Sequence, residues 1–135
     1  MLSKIPSDRK KEDAVIFMGH GSPAHPSGMI YLAAAYCLDK IDDNAFLAAV
    51  EGAPTFDETL EILKAKNIKK AYILPFMSVA GDHAKNDMAG DEPDSWKSIL
   101  TKNGIDAVPV LKGMAEYDEI VNIWLDHLAQ TIKGL

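Results

Sequence analysis

The chain has 135 residues, of which 47% are hydrophobic and 25% are charged, a composition typical of a globular domain that buries its own core. The net charge of −6 at pH 7 and the absence of a basic stripe argue against a protein that binds the phosphate backbone of nucleic acids. The single cysteine, Cys37, excludes a disulfide framework and a thiolate metal site, and we expect it to be a small core residue.

Residues 1–13 are charged, contain Pro6 and are interpreted as a tail or a linker. This polar start is not typical of a signal peptide. No apolar run in the sequence approaches the length needed to span a membrane. We therefore expect a cytoplasmic protein with no membrane partner.

Residues 14–135 are interpreted as one lobe in which strands and helices alternate. Short apolar runs predict four buried strands, at Ala14–Met18, Phe46–Val50, Ala71–Leu74 and Ala107–Leu111. Apolar residues at helical spacing predict four helices, from Ser27 to about Ile41, Thr55 to about Asn67, Pro93 to Asn103 and Glu116 to Ile132. Alternating units of this length require right-handed crossovers. The prediction is a flavodoxin-like α/β three-layer sandwich, with a four-stranded parallel sheet and helices on both faces.

Individual residues indicate where the predicted helices begin and end and which faces they bury. Thr55 and Glu58 have the spacing of a capping box, and Asn67 tolerates the left-handed conformation that ends a helix. We expect Trp96 and Trp124 to lie in the core. The predicted apolar faces comprise Ile30, Ala33, Ala34, Cys37, Leu38 and Ile41 in the first helix and Ile120, Ile123, Trp124, Leu128 and Ile132 in the last.

Polar side chains follow three of the predicted strands. His20 follows the first strand between two glycines, Glu51 follows the second, and the third runs into a long loop that carries His83. Because parallel strands end at the same rim of a sheet, we expect these side chains to lie together. Two imidazoles and a carboxylate suit a divalent metal such as Co²⁺, Ni²⁺, Fe²⁺ or Zn²⁺, and a neutral imidazole can also accept a proton. The pattern alone predicts a metal or acid–base site.

Other polar residues are interpreted as structural. His25 and His127 are expected to be exposed to solvent. The sequence contains no phosphate-binding loop, no dinucleotide fingerprint and no nucleophile elbow, so we expect no nucleotide cofactor. Four acidic residues of the long loop could guide metal ions, but capping or loop hydrogen bonds are the roles that we expect for Asp82, Asp87, Asp91 and Glu92.

Three segments resemble the anaerobic cobalt chelatases of cobalamin synthesis, class II enzymes that insert Co²⁺ into sirohydrochlorin without ATP. The segments are MGHGSP at Met18–Pro23, VEGAPT at Val50–Thr55 and LPFMSVAGDHAKNDMAGDEPDSWK at Leu74–Lys97. The resemblance implies a chelatase-like fold in which His20, Glu51 and His83 bind the metal. It also implies that His20 and His83 are the catalytic residues, which accept the protons of the macrocycle.

The resemblance covers only the C-terminal lobe of a two-lobe enzyme, so residues 1–13 would be the remainder of the inter-lobe linker. Short relatives of similar length work as homodimers of single lobes. The resemblance therefore implies a homodimer with the two strand-end rims facing each other, and a separate N-terminal lobe is the alternative partner.

The predicted function is a metallochelatase that inserts Co²⁺, or else Ni²⁺ or Fe²⁺, into sirohydrochlorin or a close tetrapyrrole. Two alternatives stay open at this point. The chain could be a non-catalytic carrier of a tetrapyrrole or metal, or an inactive fragment of a two-lobe chelatase.

Overall fold

Four parallel strands form a single sheet at the centre of the computed structural model, which describes residues 2–134. The spatial order is β2-β1-β3-β4, with β1 at Ala14–Gly21, β2 at Ala45–Glu51, β3 at Lys70–Pro75 and β4 at Asp106–Pro109. β1 pairs with both β2 and β3, so it lies in the interior of the sheet and its first six residues are buried. This confirms the predicted α/β class and the four-stranded parallel sheet.

Four α-helices connect and follow these strands. They are α1 at Met29–Asp39, α2 at Phe56–Ala65, α3 at Trp96–Lys102 and α4 at Asp118–Lys133. Short 3-10 helices occupy Leu2–Lys4, Pro26–Gly28 and Met114–Glu116, and a π-helical turn occupies His83–Met88. Among residues 2–134, no helix is both long enough and apolar enough to cross a membrane.

The core lies on both faces of the sheet because side chains alternate along each strand. On one face, Ile16 and Met18 pack with residues of α2, α3 and the π-helical turn. On the other face, Val15 and Phe17 pack with Tyr72 and Leu74, and α1 covers part of this layer. Helices therefore lie on both faces, as predicted.

The capping signals that the sequence predicts around α2 are present. The Thr55 hydroxyl accepts a hydrogen bond from the Glu58 backbone N–H, and the Glu58 carboxylate accepts one from the Thr55 backbone N–H. Asn67 follows α2 with a φ of 55°. Trp96 is buried as expected and stacks on Phe56, with ring centroids 4.4 Å apart.

The predicted loop around His83 is a helical turn, which corrects the sequence interpretation. Ala84 and Met88 are both fully buried, and they anchor the turn against the core. The following helix begins at Trp96 rather than Pro93, because the Ser95 hydroxyl caps it by accepting from the Ser98 backbone N–H.

The apolar face predicted for α1 is partly wrong. Cys37 is exposed, and so are Ile30 and Ile41. The side chains that pack on the sheet are Tyr31, Ala34, Ala35 and Leu38. These four positions also have helical spacing, so the apolar sequence of this helix is compatible with more than one inward face.

The burial predicted for α4 is also wrong. No residue of this helix is buried in the chain, and Trp124 and Leu128 are 39% and 56% exposed. Ile123 and Ile132 are exposed as well, and only Ile120 and Val121, near the start of the helix, are half-buried. The helix is amphipathic, but the lobe provides no surface that covers its apolar stripe.

The segment before β1 packs on the lobe. Ile5 contacts the core cluster beneath α1, and the Arg9 guanidinium donates to both oxygens of the Asp42 carboxylate. Residue 1 lies outside the described residues. The interpretation of residues 1–13 as a linker stays a prediction.

Candidate metal and acid–base site

His20 lies at the carboxyl end of β1, on the rim of the sheet, and its side chain is exposed. Both of its neighbours are glycines, and the surrounding chain comes very close to them. A Cβ atom at Gly19 would lie 2.4 Å from the Tyr31 ring, and one at Gly21 would lie 1.8 Å from the Glu51 carbonyl oxygen. Gly21 also has a φ of +85°, which disfavours other residues. The Nδ1 atom of His20 lies 3.3 Å from the Gly21 carbonyl oxygen.

His83 begins the π-helical turn that follows β3. Its Nδ1 atom lies 2.5 Å from a carboxylate oxygen of Asp87, one turn further along. The two side chains are 38% and 47% exposed, so the pair faces solvent at the edge of the site. The buried neighbours Ala84 and Met88 fix the turn from below.

The fold brings the two histidines into contact. Their ring centroids lie 4.9 Å apart and the ring planes are nearly perpendicular, at 85°. In each ring Nδ1 is the nitrogen near an oxygen acceptor. If Nδ1 carries the proton, Nε2 keeps a lone pair that can bind a metal ion or accept a proton. Two adjacent imidazoles on an open rim can therefore share one ion or take up protons in turn.

Glu51 lies at the end of β2, directly opposite Gly21 in the register of the sheet, and it is exposed. It thus lies on the same rim as His20. Among residues 2–134, however, no three histidine, cysteine or acidic side chains lie close enough together to hold one metal ion. The structure brings together the two histidines, and the role of Glu51 as a third ligand stays a prediction.

Two further polar residues, His25 and Asp91, have local partners. The Nδ1 atom of His25 accepts from the Ser27 backbone N–H at 3.1 Å and so caps a short 3-10 helix. Asp91 forms an ion pair with Lys97 at 2.7 Å, and this contact lowers the pKa of Asp91. His127 is exposed on α4, as expected.

Sequence reasoning missed two features of the site. It assigned Asp87 a general loop role, although a helical reading of the segment would have placed this carboxylate one turn from His83. It also missed an open depression of about 490 Å³ that begins at Ser22 and Gly52, the residues after Gly21 and Glu51. Its wall is largely apolar and includes Pro23, Met29, Leu32 and Ala53.

A family model described as Cobalt chelatase (CbiK) matches residues 1–133. The chain belongs to the cobalt chelatase (CbiK) family. This confirms the resemblance that the three sequence segments indicated.

Two curated relatives of the cobalt chelatase (CbiK) family align along nearly the whole chain. The chain is 41% identical over 135 residues to a sirohydrochlorin cobaltochelatase, CbiKC, from Nitratidesulfovibrio vulgaris, and the match covers 100% of the chain and 48% of the relative. It is 38% identical over 137 residues to a sirohydrochlorin cobaltochelatase from Salmonella typhimurium, and this match covers 98% of the chain and 50% of the relative. The chain thus spans about half the length of the curated relatives it matches.

Among solved structures, the chain resembles a cobalamin biosynthesis CbiX protein from Marinobacter aquaeolei. The TM-score is 0.73 and the match covers 90% of this chain and 95% of that one. At 16% sequence identity the likeness shows a shared fold.

Proposed function

We propose that this member of the cobalt chelatase family inserts Co²⁺ into sirohydrochlorin, with the two rim histidines as the reactive groups. The observation that carries the proposal is the contact between His20 and His83, whose ring centroids lie 4.9 Å apart on the rim where the parallel strands end. The proposal takes its metal and macrocycle from the two curated relatives, both of which are sirohydrochlorin cobaltochelatases. The metal is a substrate in this reaction, so its site must release it as well as bind it.

The chemistry requires both a metal ligand and a proton acceptor. When a tetrapyrrole takes up a divalent ion, two pyrrolic N–H protons leave and the ion exchanges its bound water for ring nitrogens. A neutral imidazole can perform either task at neutral pH. His20 and His83 hold the ion at the rim, and after it passes to the ring they accept the two protons and release them to water.

The small number of ligands fits a site that transfers its ion. Structural metal sites commonly surround the ion with four protein ligands, whereas sites that react keep positions open. Two imidazoles, with Glu51 on the same rim as a third ligand or proton relay, leave room for water and then for the macrocycle. The apolar depression beside the rim offers a surface on which the flat ring can rest.

We further propose that two copies of the chain face each other across the macrocycle. Binding sites usually enclose most of a small ligand's surface, and a single rim provides only one wall for a plate-shaped tetrapyrrole. The curated relatives are about twice as long, so they have chain enough for a second wall. The apolar stripe of α4 is exposed in the single chain, and we assign its cover to the second copy.

A metallation assay tests the proposed function. The protein is incubated with sirohydrochlorin and Co²⁺, and the visible spectrum is followed as the cobalt complex forms. We expect catalysed formation with the wild-type chain and with His127→Ala, which removes a histidine from outside the site, but not with His83→Ala. A spectral change on macrocycle binding without metallation would instead support a carrier, and no change at all would support an inactive fragment.

The same assay measures which metal ion the protein prefers to insert. Co²⁺, Ni²⁺, Fe²⁺ and Zn²⁺ compete for imidazole ligands with affinities that follow the ions more than the protein. We therefore expect selectivity to appear in the rates of insertion rather than in the binding constants. Parallel reactions with each ion, corrected for the uncatalysed rate, measure it.

A further inference from the structure

We infer that Asp87 is a positioning residue that keeps the proton of His83 on Nδ1 and so leaves Nε2 free for the metal. The inference rests on the proposed function, because it concerns how one of the two proposed ligands is oriented. The observation behind it is the distance of 2.5 Å between His83 Nδ1 and the Asp87 carboxylate.

The backbone of the π-helical turn fixes the positions of both partners. His83 and Asp87 precede Ala84 and Met88, the two residues of the turn that are fully buried. Backbone hydrogen bonds close both ends of the turn, from the Lys85 N–H to the Gly81 carbonyl and from the Gly90 N–H to the Asn86 carbonyl, each 3.0 Å long. The core therefore holds the carboxylate beside the imidazole, although both side chains are partly exposed.

The chemistry of the contact determines where the proton lies. An ionised carboxylate can only accept hydrogen bonds, so the ring nitrogen that faces it must carry a hydrogen. The other ring nitrogen of a neutral imidazole then has the lone pair. Carboxylates that accept from a metal-bound histidine in this way fix its tautomer and orientation and make it a more basic ligand.

The two histidines of the site are supported differently. The Nδ1 atom of His20 lies 3.3 Å from the Gly21 carbonyl oxygen, whereas Nδ1 of His83 lies 2.5 Å from a carboxylate oxygen of Asp87. Asp82 is the residue before His83, and among the described residues its side chain makes no hydrogen bond to the turn it precedes. It carries the same charge as Asp87 without the same contact, and so it is a suitable control.

If the His83–Asp87 pair only stabilised the turn, we would expect a different result from the one that the inference predicts. Exposed pairs spaced four residues apart on a helix stabilise proteins only slightly. If the contact were only such a pair, removing it would change neither the tautomer preference that matters for binding nor the affinity for metal. Both quantities can be measured without macrocycle or turnover.

The test uses the full chain labelled with ¹⁵N, without metal for spectroscopy and with Co²⁺ alone for calorimetry. In the wild type we expect the ¹⁵N shifts of His83 to show a protonated Nδ1 and a bare Nε2. Asp87→Ala should shift the ring towards the other tautomer and weaken cobalt binding by about 10- to 100-fold, the usual effect of losing such a partner. Asp87→Asn keeps an oxygen acceptor and should restore the tautomer and part of the affinity. Asp82→Ala should change neither.

Several results would overturn the inference. They are an unchanged tautomer in Asp87→Ala, an unchanged cobalt affinity in that variant, and an equal effect of Asp82→Ala. Failure of the proposed site itself looks different, because His83→Ala would then bind cobalt as tightly as the wild type. Thermal unfolding of each variant shows whether the protein still folds. If Asp87→Ala does not fold, Asp87→Asn tests the inference in its place.

Discussion

The imidazole rings of His20 and His83 contact each other almost at right angles, with their centroids 4.9 Å apart, although the residues follow different strands. β1 and β3 are neighbours in the sheet and run in the same direction, so their carboxyl ends meet. The topology of the sheet therefore brings the two strand ends together, and the π-helical turn, anchored by the buried Ala84 and Met88, places His83 beside His20. In the proposed reaction, the two rings act as one unit.

Combined substitution of the two histidines tests whether they act together. We expect His20→Ala and His83→Ala each to lower the metallation rate by about 100-fold or more, the scale of losing a general base. The double variant should be hardly slower than either single one, because residues that act as a unit have non-additive effects. Initial rates with sirohydrochlorin and Co²⁺ measure this.

Both histidines are on the rim and outside the core, so all three variants should keep the wild-type circular dichroism spectrum. If the fold-loss in metallation rate of the double variant equalled the product of the two single losses, the rings would act independently. Full turnover by His83→Ala would remove this residue from the reaction.

Cobalt soaked into crystals should bind between the two rings. We expect ligand distances of about 2.0–2.2 Å to a nitrogen of each histidine, the range seen for nitrogen and oxygen ligands of similar ions. Glu51 should be close enough to bind the ion directly or through a water molecule. Anomalous diffraction locates the ion, and density at His127 in place of the rim would contradict the assignment.

The sequence was sufficient to predict the sheet because its strands have an unambiguous pattern. Ala14–Met18 is apolar throughout, as a strand buried on both faces requires, and the strand ends were wrong by a few residues only. Thr55 and Glu58 were equally informative, since a capping box is a local interaction between near neighbours. The three rim residues followed from the parallel topology.

The helices were harder to predict because their burial depends on distant surfaces. Cys37 belongs to a helix that is apolar on several sides, and only the packing of the chain selects the side that faces the sheet. Trp124 belongs to a clear amphipathic stripe, but the stripe does not show whether its cover lies in the same lobe or elsewhere. The Asp87 contact was missed because the surrounding segment has the composition of a loop and folds as a π-helical turn.

The ion pair between Arg9 and Asp42 should make stability depend on acid pH. The two side chains are only 14% and 25% exposed, and the Arg9 hydrogen bond lowers the pKa of Asp42 below its ordinary value of 3.8. A lowered pKa in the folded state stabilises the fold above the unfolded-state pKa, and this contribution disappears as the pH falls through the folded-state value.

Asp42→Asn should therefore lower the free energy of unfolding by about 1–2 kcal/mol at pH 7. The difference from the wild type should shrink as the pH falls below about 4. Urea unfolding at a series of pH values measures it. Asp39→Asn is the matched control, because Asp39 and its partner Lys40 are both mostly exposed and 3.4 Å apart. A difference between wild type and Asp42→Asn that stays constant with pH would contradict the role of the charge.

The exposed stripe of α4 should hold the proposed dimer together. Trp124, Leu125 and Leu128 lie on one side of the helix and are all exposed in the single chain. Covering them in a two-fold arrangement adds apolar area to the interface from both copies. A stable interface generally buries more than about 1,000 Å² in total.

Leu128→Asp introduces a charge at the centre of this stripe and should convert the dimer into a monomer, because an unpaired charge is costly to bury. Gln130→Asp introduces the same charge about 200° around the helix, on its polar side, and should leave the dimer intact. Light scattering at the concentration of the metallation assay measures the mass, and the assay itself shows whether the second wall is needed. We expect the Leu128→Asp monomer to lose metallation while keeping its fold, since α4 buries none of its residues in its own lobe.

Two other results would contradict the proposed homodimer. A monomeric wild type with full activity would show that no second copy is needed. An inactive wild-type monomer that is rescued by a separate N-terminal lobe would show that the partner is a different chain.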